Sequence, residues 1–116
     1  MIGIKNKLDF AKEKTFFISG LGIEVMGEDI GKASYSSALQ AQEEGSSEGW
    51  RLPNGDECFA LWSLKQQGTG NIKDYYYWTS VPHFKIGTAY KFKMDKPFLG
   101  TRSKQDYYFI RLVRNV

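Results

Sequence analysis

Trp50-Arg51-Leu52-Pro53-Asn54-Gly55-Asp56-Glu57 is the stretch whose reading decides the fold. Leu52 precedes a proline, and the clash with the proline ring pushes its backbone toward extended geometry. Pro53 has no N–H to give a neighbouring strand, so pairing stops there. Asn54 is a strong N-cap residue, and Glu57 three positions later completes a capping-box spacing. The run that follows, Cys58-Phe59-Ala60-Leu61-Trp62-Ser63-Leu64, carries helix formers and closes at Gly68, a residue suited to the left-handed position after a helix. An extended segment therefore hands over abruptly to a capped helix, with Trp50 and Leu52 placed to anchor the junction.

Toward the N-terminus, Ser34 is placed to cap a helix that runs through Tyr35 and Ala38 to Gly45. Tyr35, Ala38, Leu39 and Gln42 share one face of it, and its apolarity is modest. Thr15 to Met26 is β-rich, with Gly20 and Gly22 marking a bend, and Gly27 to Lys32 reads as a connection. Residues 1–14 are polar, with Ile2, Ile4, Leu8 and Phe10 as apolar members. They leave a short helix, a pairing arm and a frayed end equally open, and are set apart as an N-terminal arm to a domain spanning 15–116.

Toward the C-terminus, the loop from Gly68 to Asp74 has neither the glycine spacing nor the lysine-serine pair of a phosphate cradle. Tyr75 to Val81 is the strongest strand signal, and Pro82 ends it. Tyr90, Phe92 and Met94 alternate with Lys91 and Lys93, which predicts a half-buried strand with an exposed basic face. Pro97 to Gly100 reads as a short edge strand, and Tyr107 to Val113 as the closing one. Two helices followed by a run of strands is an α+β pattern, here two helices packed on antiparallel sheet.

Taken in order, the helix ending in glycine, Gly49-Trp50-Arg51-Leu52-Pro53, the capped helix, Tyr77-Trp78-Thr79-Ser80 and Ile110-Arg111-Leu112-Val113-Arg114 resemble one family. It is the bacterial and phage C-type-lectin-like domains related to the C-terminal domain of collagen-like adhesins. More distant relatives are the formylglycine-generating enzymes and the tropism determinants of phages. The resemblance covers about Gly20 to Arg114. It implies a C-type-lectin-like fold in which the terminal strands pair and the region after the second helix carries a binding surface. Two departures stand out. Asp95-Lys96-Pro97 replaces a glycine turn common in the family, and the Glu-Pro-Asn, Gln-Pro-Asp and Trp-Asn-Asp signatures of calcium-dependent sugar binding are absent. No calcium, other metal or cofactor is therefore expected.

The chain has 116 residues, enough for one domain with a sizeable core, and its aromatic content of 16% is high. No apolar run reaches the roughly 20 residues needed to span a bilayer. The first residues carry charges where a signal peptide would have its apolar centre. The net charge of +3 hides an asymmetry: residues 83–116 hold eight basic residues against two acidic, a net +6, leaving −3 for the rest. A basic aromatic third can mark a partner surface or simply a solvated strand face.

Catalytic chemistry finds no support. His83 is the only histidine, and Cys58, the only cysteine, falls inside a helix as a small core residue. The formylglycine-generating branch needs reactive cysteines near its end, and residues 83–116 contain none. Asp56 and Glu57 are explained by capping. Trp50, Leu52, Trp62 and Trp78 are assigned to the core. The remaining rings and cations define a candidate binding surface over residues 69–76, 83–87 and 100–108: Tyr75, Tyr76, His83, Phe84, Arg102, Tyr107 and Tyr108. A core covering both faces of the sheet would account for some of these rings instead.

The expected function is a non-enzymatic binding module of a phage virion or an extracellular cell surface, recognising a protein or glycan receptor. Homo-oligomers or larger assemblies through the N-terminal arm are open. The rivals are a structural role in a capsid or fibre and nucleic-acid binding through Lys91, Lys93 and Arg102.

Overall fold

The computed structural model describes residues 15–81, 88–95, 98–103 and 106–116. In it the Trp50–Glu57 junction works as its chemistry dictates. Arg51 pairs through its backbone with Val113, its N–H donating to the Val113 carbonyl at 2.8 Å and its carbonyl accepting in return at 2.9 Å. Asn54 then caps a helix over Gly55–Gln66 (α2). The Glu57 N–H donates to Asn54 Oδ1 and the Asn54 N–H to Glu57 Oε1, both at 2.9 Å. Beyond the C-cap, Gly68 takes φ +72°, the left-handed turn that ends the helix.

The other helix, α1, spans Tyr35–Gly45 and is capped by the Ser34 hydroxyl. Ala38, Ala41 and Gly45 form its buried stripe, so the face is rotated from the expected one and Leu39 sits at the rim, 41% exposed. Small side chains let this helix approach closely. A Cβ on Gly45 would lie 2.8 Å from the Trp50 Cβ, closer than side-chain carbons approach. Gln42 accepts the Leu52 N–H at 2.8 Å, tying α1 to the junction.

Among the described residues, eight strands form two sheets. The smaller is antiparallel, with β1 (Thr15–Ile18), β2 (Ile23–Met26) and β8 (Val113–Asn115) in that order. The larger has five strands in the order β3 (Gly31–Ala33), β7 (Tyr108–Ile110), β4 (Tyr76–Trp78), β5 (Thr88–Lys93) and β6 (Phe98–Ser103). The fold is thus α+β with two helices.

Several elements depart from the sequence reading. Gly31–Ala33 pairs with β7 and is a strand within the expected connection. The closing segment breaks at Arg111-Leu112 into two strands that belong to different sheets. The strand expected over 75–81 is confined to Tyr76–Trp78. It lies parallel to β7, with Tyr77 beside Phe109, so the larger sheet is mixed. The N-terminal arm, residues 1–14, lies outside the described residues.

Both faces of the larger sheet are covered, which is what fills two cores. Tyr35 of α1 meets Trp78 edge-on at 5.2 Å over a core of Met26, Ile30, Trp50, Leu52, Ile110 and Leu112. On the other face, Phe59 of α2 meets Phe92 edge-on at 5.0 Å over Ile23, Val25, Cys58, Leu61, Tyr77 and Met94. Trp50, Leu52, Trp78 and Cys58 are buried, as their sequence setting implies. Trp62 is only half-buried against the second core. Lys91 corrects the expected basic face: alternation does turn it away from Phe92, but the face it joins is also covered, and it is 4% exposed.

Candidate functional site

β4 and β7 run parallel, so Tyr75, Tyr76, Tyr107 and Tyr108 enter the sheet at the same rim. Because side chains alternate along a strand, the rim divides into two faces. On one, Tyr76 meets Tyr108 at 5.2 Å and Tyr108 meets Trp78 at 4.8 Å, both edge-to-face. The Trp78 indole N–H donates to the Ala33 carbonyl at 2.7 Å, which fixes this stack to β3. The Lys91 ammonium lies 3.7 Å from the Tyr76 ring centre and Lys93 5.7 Å from it, while Lys93 also faces Asp95 at 3.8 Å. Tyr76 and Tyr108 are half-buried and belong to the scaffold as much as to the surface.

The other face, covered over Tyr77, is exposed at the rim. Tyr75 is 57% exposed and Tyr107 49% exposed. Tyr75 leans on Phe109 at 5.6 Å, and Phe109 leans on Tyr77 at the same distance. Lys32, exposed on β3, places its ammonium 5.5 Å from the Tyr75 ring centre and 5.9 Å from that of Phe109. The side chain of Arg102 lies outside the described residues, as do His83 and Phe84; the Arg102 backbone sits in β6 opposite Ala89. Four of the seven sequence candidates are therefore brought together. Lys32 joins them without a sequence signal, because it is brought in only by the β3–β7 pairing.

A buried polar node holds this rim in place. The Arg111 guanidinium is fully buried and donates to Asp29 Oδ1 at 2.9 Å, to the Met26 carbonyl at 2.8 Å, to the Gly70 carbonyl at 2.6 Å and to the Asn71 carbonyl at 2.8 Å. The Tyr77 hydroxyl donates to Asp29 Oδ2 at 2.9 Å and accepts the Lys73 N–H at 3.0 Å. The loop leading into Tyr75 is thereby bonded to the sheet at Gly70, Asn71 and Lys73. Burial pushes the Asp29 carboxyl above the ordinary carboxylate range, against the pull of Arg111 and Tyr77. Burial, then the neighbouring Asp29, drives the Tyr77 hydroxyl well above its usual range.

The remaining ion pairs are architectural. Glu57 accepts from both Arg51 Nη atoms at 2.7 Å, and Arg51 also reaches Asn115 at 2.7 Å. Arg114 lies 4.5 Å from the Trp50 ring centre and donates to Glu24 at 2.7 Å. Burial raises the Cys58 thiol far above its ordinary range, which leaves it a packing residue. Among the described residues no group of three or more His, Cys, Asp or Glu side chains could hold a metal ion. No helix among them is long and apolar enough to cross a membrane.

A separate groove of about 350 Å³ runs between β1 and α2, bounded by Phe17, Ile18, Ala60, Ser63, Leu64 and Gln67. None of these residues belongs to the tyrosine rim. No family model matches the chain, and no curated protein matches it.

Proposed function

We propose that this chain is a non-enzymatic binding module of C-type-lectin-like type, carried by a phage virion or a cell surface, that meets a protein or glycan receptor with its tyrosine rim. One observation carries the reading: Tyr75 and Tyr107 stand exposed on a sheet end whose approach loop is locked by Arg111. Tyrosine offers large, rigid, amphipathic contact area at small entropic cost, and rigid aromatics dominate interface energetics. Two further features fit the resemblance. An early strand, β2, pairs with the last strand, β8, and the exposed rings follow the second helix.

The nucleic-acid rival loses ground on geometry. Lys91 is buried and Lys93 half-buried, both held over Tyr76, so they do not line an open track for phosphates. The structural role is tested against receptor binding by combining size-exclusion chromatography with cell-surface and glycan-array binding. The binding reading expects signal that Tyr75→Ala and Tyr107→Ala remove while the variants melt like the parent. A stable oligomer that binds neither cells nor glycans would make this a structural component.

A further inference from the structure

Arg51, Lys65, Lys93, Arg111 and Arg114 each face a carboxylate, and Lys73 in the loop before Tyr75 donates to Asn71 Oδ1 at 3.2 Å. The Lys32 ammonium instead stands over Tyr75 and Phe109 with no carboxylate partner among the described residues. It is exposed, on the edge strand of the larger sheet, over the Tyr75 ring, which is itself 57% exposed. The Tyr77–Phe109 register, carried back two residues along both parallel strands, sets Tyr107 next to Tyr75 on this same face. The result is one face of the rim carrying two exposed phenol rings, with a cation over Tyr75.

We infer that this face binds an anionic sugar, one ring of which lies on Tyr75 and Tyr107 while its carboxylate meets the Lys32 ammonium. The inference rests on the binding-module reading above and narrows it to a ligand class. Aromatic faces accept the C–H face of a sugar, and the phenol hydroxyls can bond to its hydroxyl groups. An ammonium that meets only ring faces among the described residues gains a stronger, charge-assisted bond when a carboxylate arrives. Two alternatives fit less well. A protein partner needs roughly 800 Å² on each side, with several anchors, and this face offers two rings and one cation. Single-stranded nucleic acid needs a row of cations along its backbone, whereas Lys91 and Lys93 lie on the opposite face of the sheet.

The test is a titration of the ¹⁵N-labelled full chain, followed by amide shifts, with 3′-sialyllactose, a glucuronate-containing disaccharide, neutral lactose, hexaglutamate and decathymidylate. Either acidic sugar should shift amides around Lys32, Tyr75 and Tyr107. Lys32→Gln should weaken that binding by about tenfold, as loss of one charge-assisted contact does. Tyr75→Ala and Tyr107→Ala should abolish it, while Phe17→Ala, in the separate groove, should leave it unchanged. Lactose binding as tightly as the acidic sugars, or no effect of Lys32→Gln, would overturn the anionic preference. Equal binding of hexaglutamate or decathymidylate at the same amides would overturn the sugar. No shift with any sugar at about 10 mM, a weak-binding regime by affinity arithmetic, would overturn the inference as a whole. The binding-module reading would survive that last result if Tyr75→Ala still removed cell-surface binding, and would fall with it otherwise.

Discussion

Replacing Glu57 by alanine should destabilise the protein by about 2–3 kcal/mol, a sum that follows from its partners. The carboxylate accepts the Asn54 N–H at 2.9 Å, one half of the capping box, and removing that half costs about 1 kcal/mol. It also accepts both Arg51 Nη atoms at 2.7 Å. A fully buried pair broken on one side costs about 3–5 kcal/mol. Here the Arg51 side chain is 32% exposed and keeps Asn115 as a partner, so about 1–2 kcal/mol is the better figure. For a domain of this size the melting temperature should fall by about 8–12 °C. Asp56, next in the sequence and exposed on the same first turn, serves as the control: Asp56→Ala should stay within about 0.5 kcal/mol. Thermal melts by circular dichroism read both. Equal shifts for the two variants, or a fall of less than about 3 °C for Glu57→Ala, would refute the claim that this carboxylate binds the junction to the helix.

Trp50→Ala removes a ring that is 2% exposed and should cost about 3–5 kcal/mol in chemical denaturation, whereas Tyr75→Ala should stay within about 0.5 kcal/mol. Similar losses for both would make Tyr75 scaffold. Arg111→Met should cost about 3–5 kcal/mol and speed hydrogen exchange of the Lys73 amide, since it strands Asp29 and the Gly70 and Asn71 carbonyls; unchanged exchange there would show that the loop is held by other means. The pH dependence has a definite sign. The Thr15 hydroxyl, then Arg114 against desolvation, holds the Glu24 carboxyl below its ordinary value. Burial pushes Glu57 up, but Arg51 and the Asn54 N–H outweigh it and bring it below. Both therefore stabilise the fold above the ordinary carboxylate value of 4.5, and that stability is lost as pH falls through the lowered folded values. Asp29, raised, acts in the opposite sense. Melting temperature should drop between pH 6 and pH 3, and Glu57→Gln should flatten the drop; an unchanged slope would count against Glu57 as its source.

What could be read from sequence was local. The capping box of Asn54 and Glu57, the Ser34 cap and the glycine after α2 are interactions within four residues, so composition and spacing determine them. Tyr75, Tyr76, Tyr107 and Tyr108 were legible as candidates because rings in excess of a core must go somewhere. What escaped was set by distant pairing. Tyr107 to Val113 reads as one strand, and it is the distant acceptors of Arg111, Asp29 and the Met26, Gly70 and Asn71 carbonyls, that mark where it breaks. Lys91 followed its alternation and still became buried, because a covered sheet has no solvent face at that position. Lys32 sits in a three-residue strand opened by glycine, too short and too flexible a segment to announce itself.

The break at Arg111-Leu112 also sets an order of events during folding. β7 lies between β3 and β4 in one sheet, while β8 pairs with β2 in the other, so neither sheet is complete until this one segment has docked. Ile23 and Asn115 are partners across roughly ninety residues, and such non-local pairings place a domain among the slower two-state folders, in milliseconds to seconds. As the chain leaves the ribosome, α1 and α2 can form early, but β2, β3 and β4 must wait with apolar faces open until residues 108–115 emerge. For that interval the Trp50 and Trp78 surfaces are exposed to chaperones and to neighbouring copies, until residues 108–115 close them off.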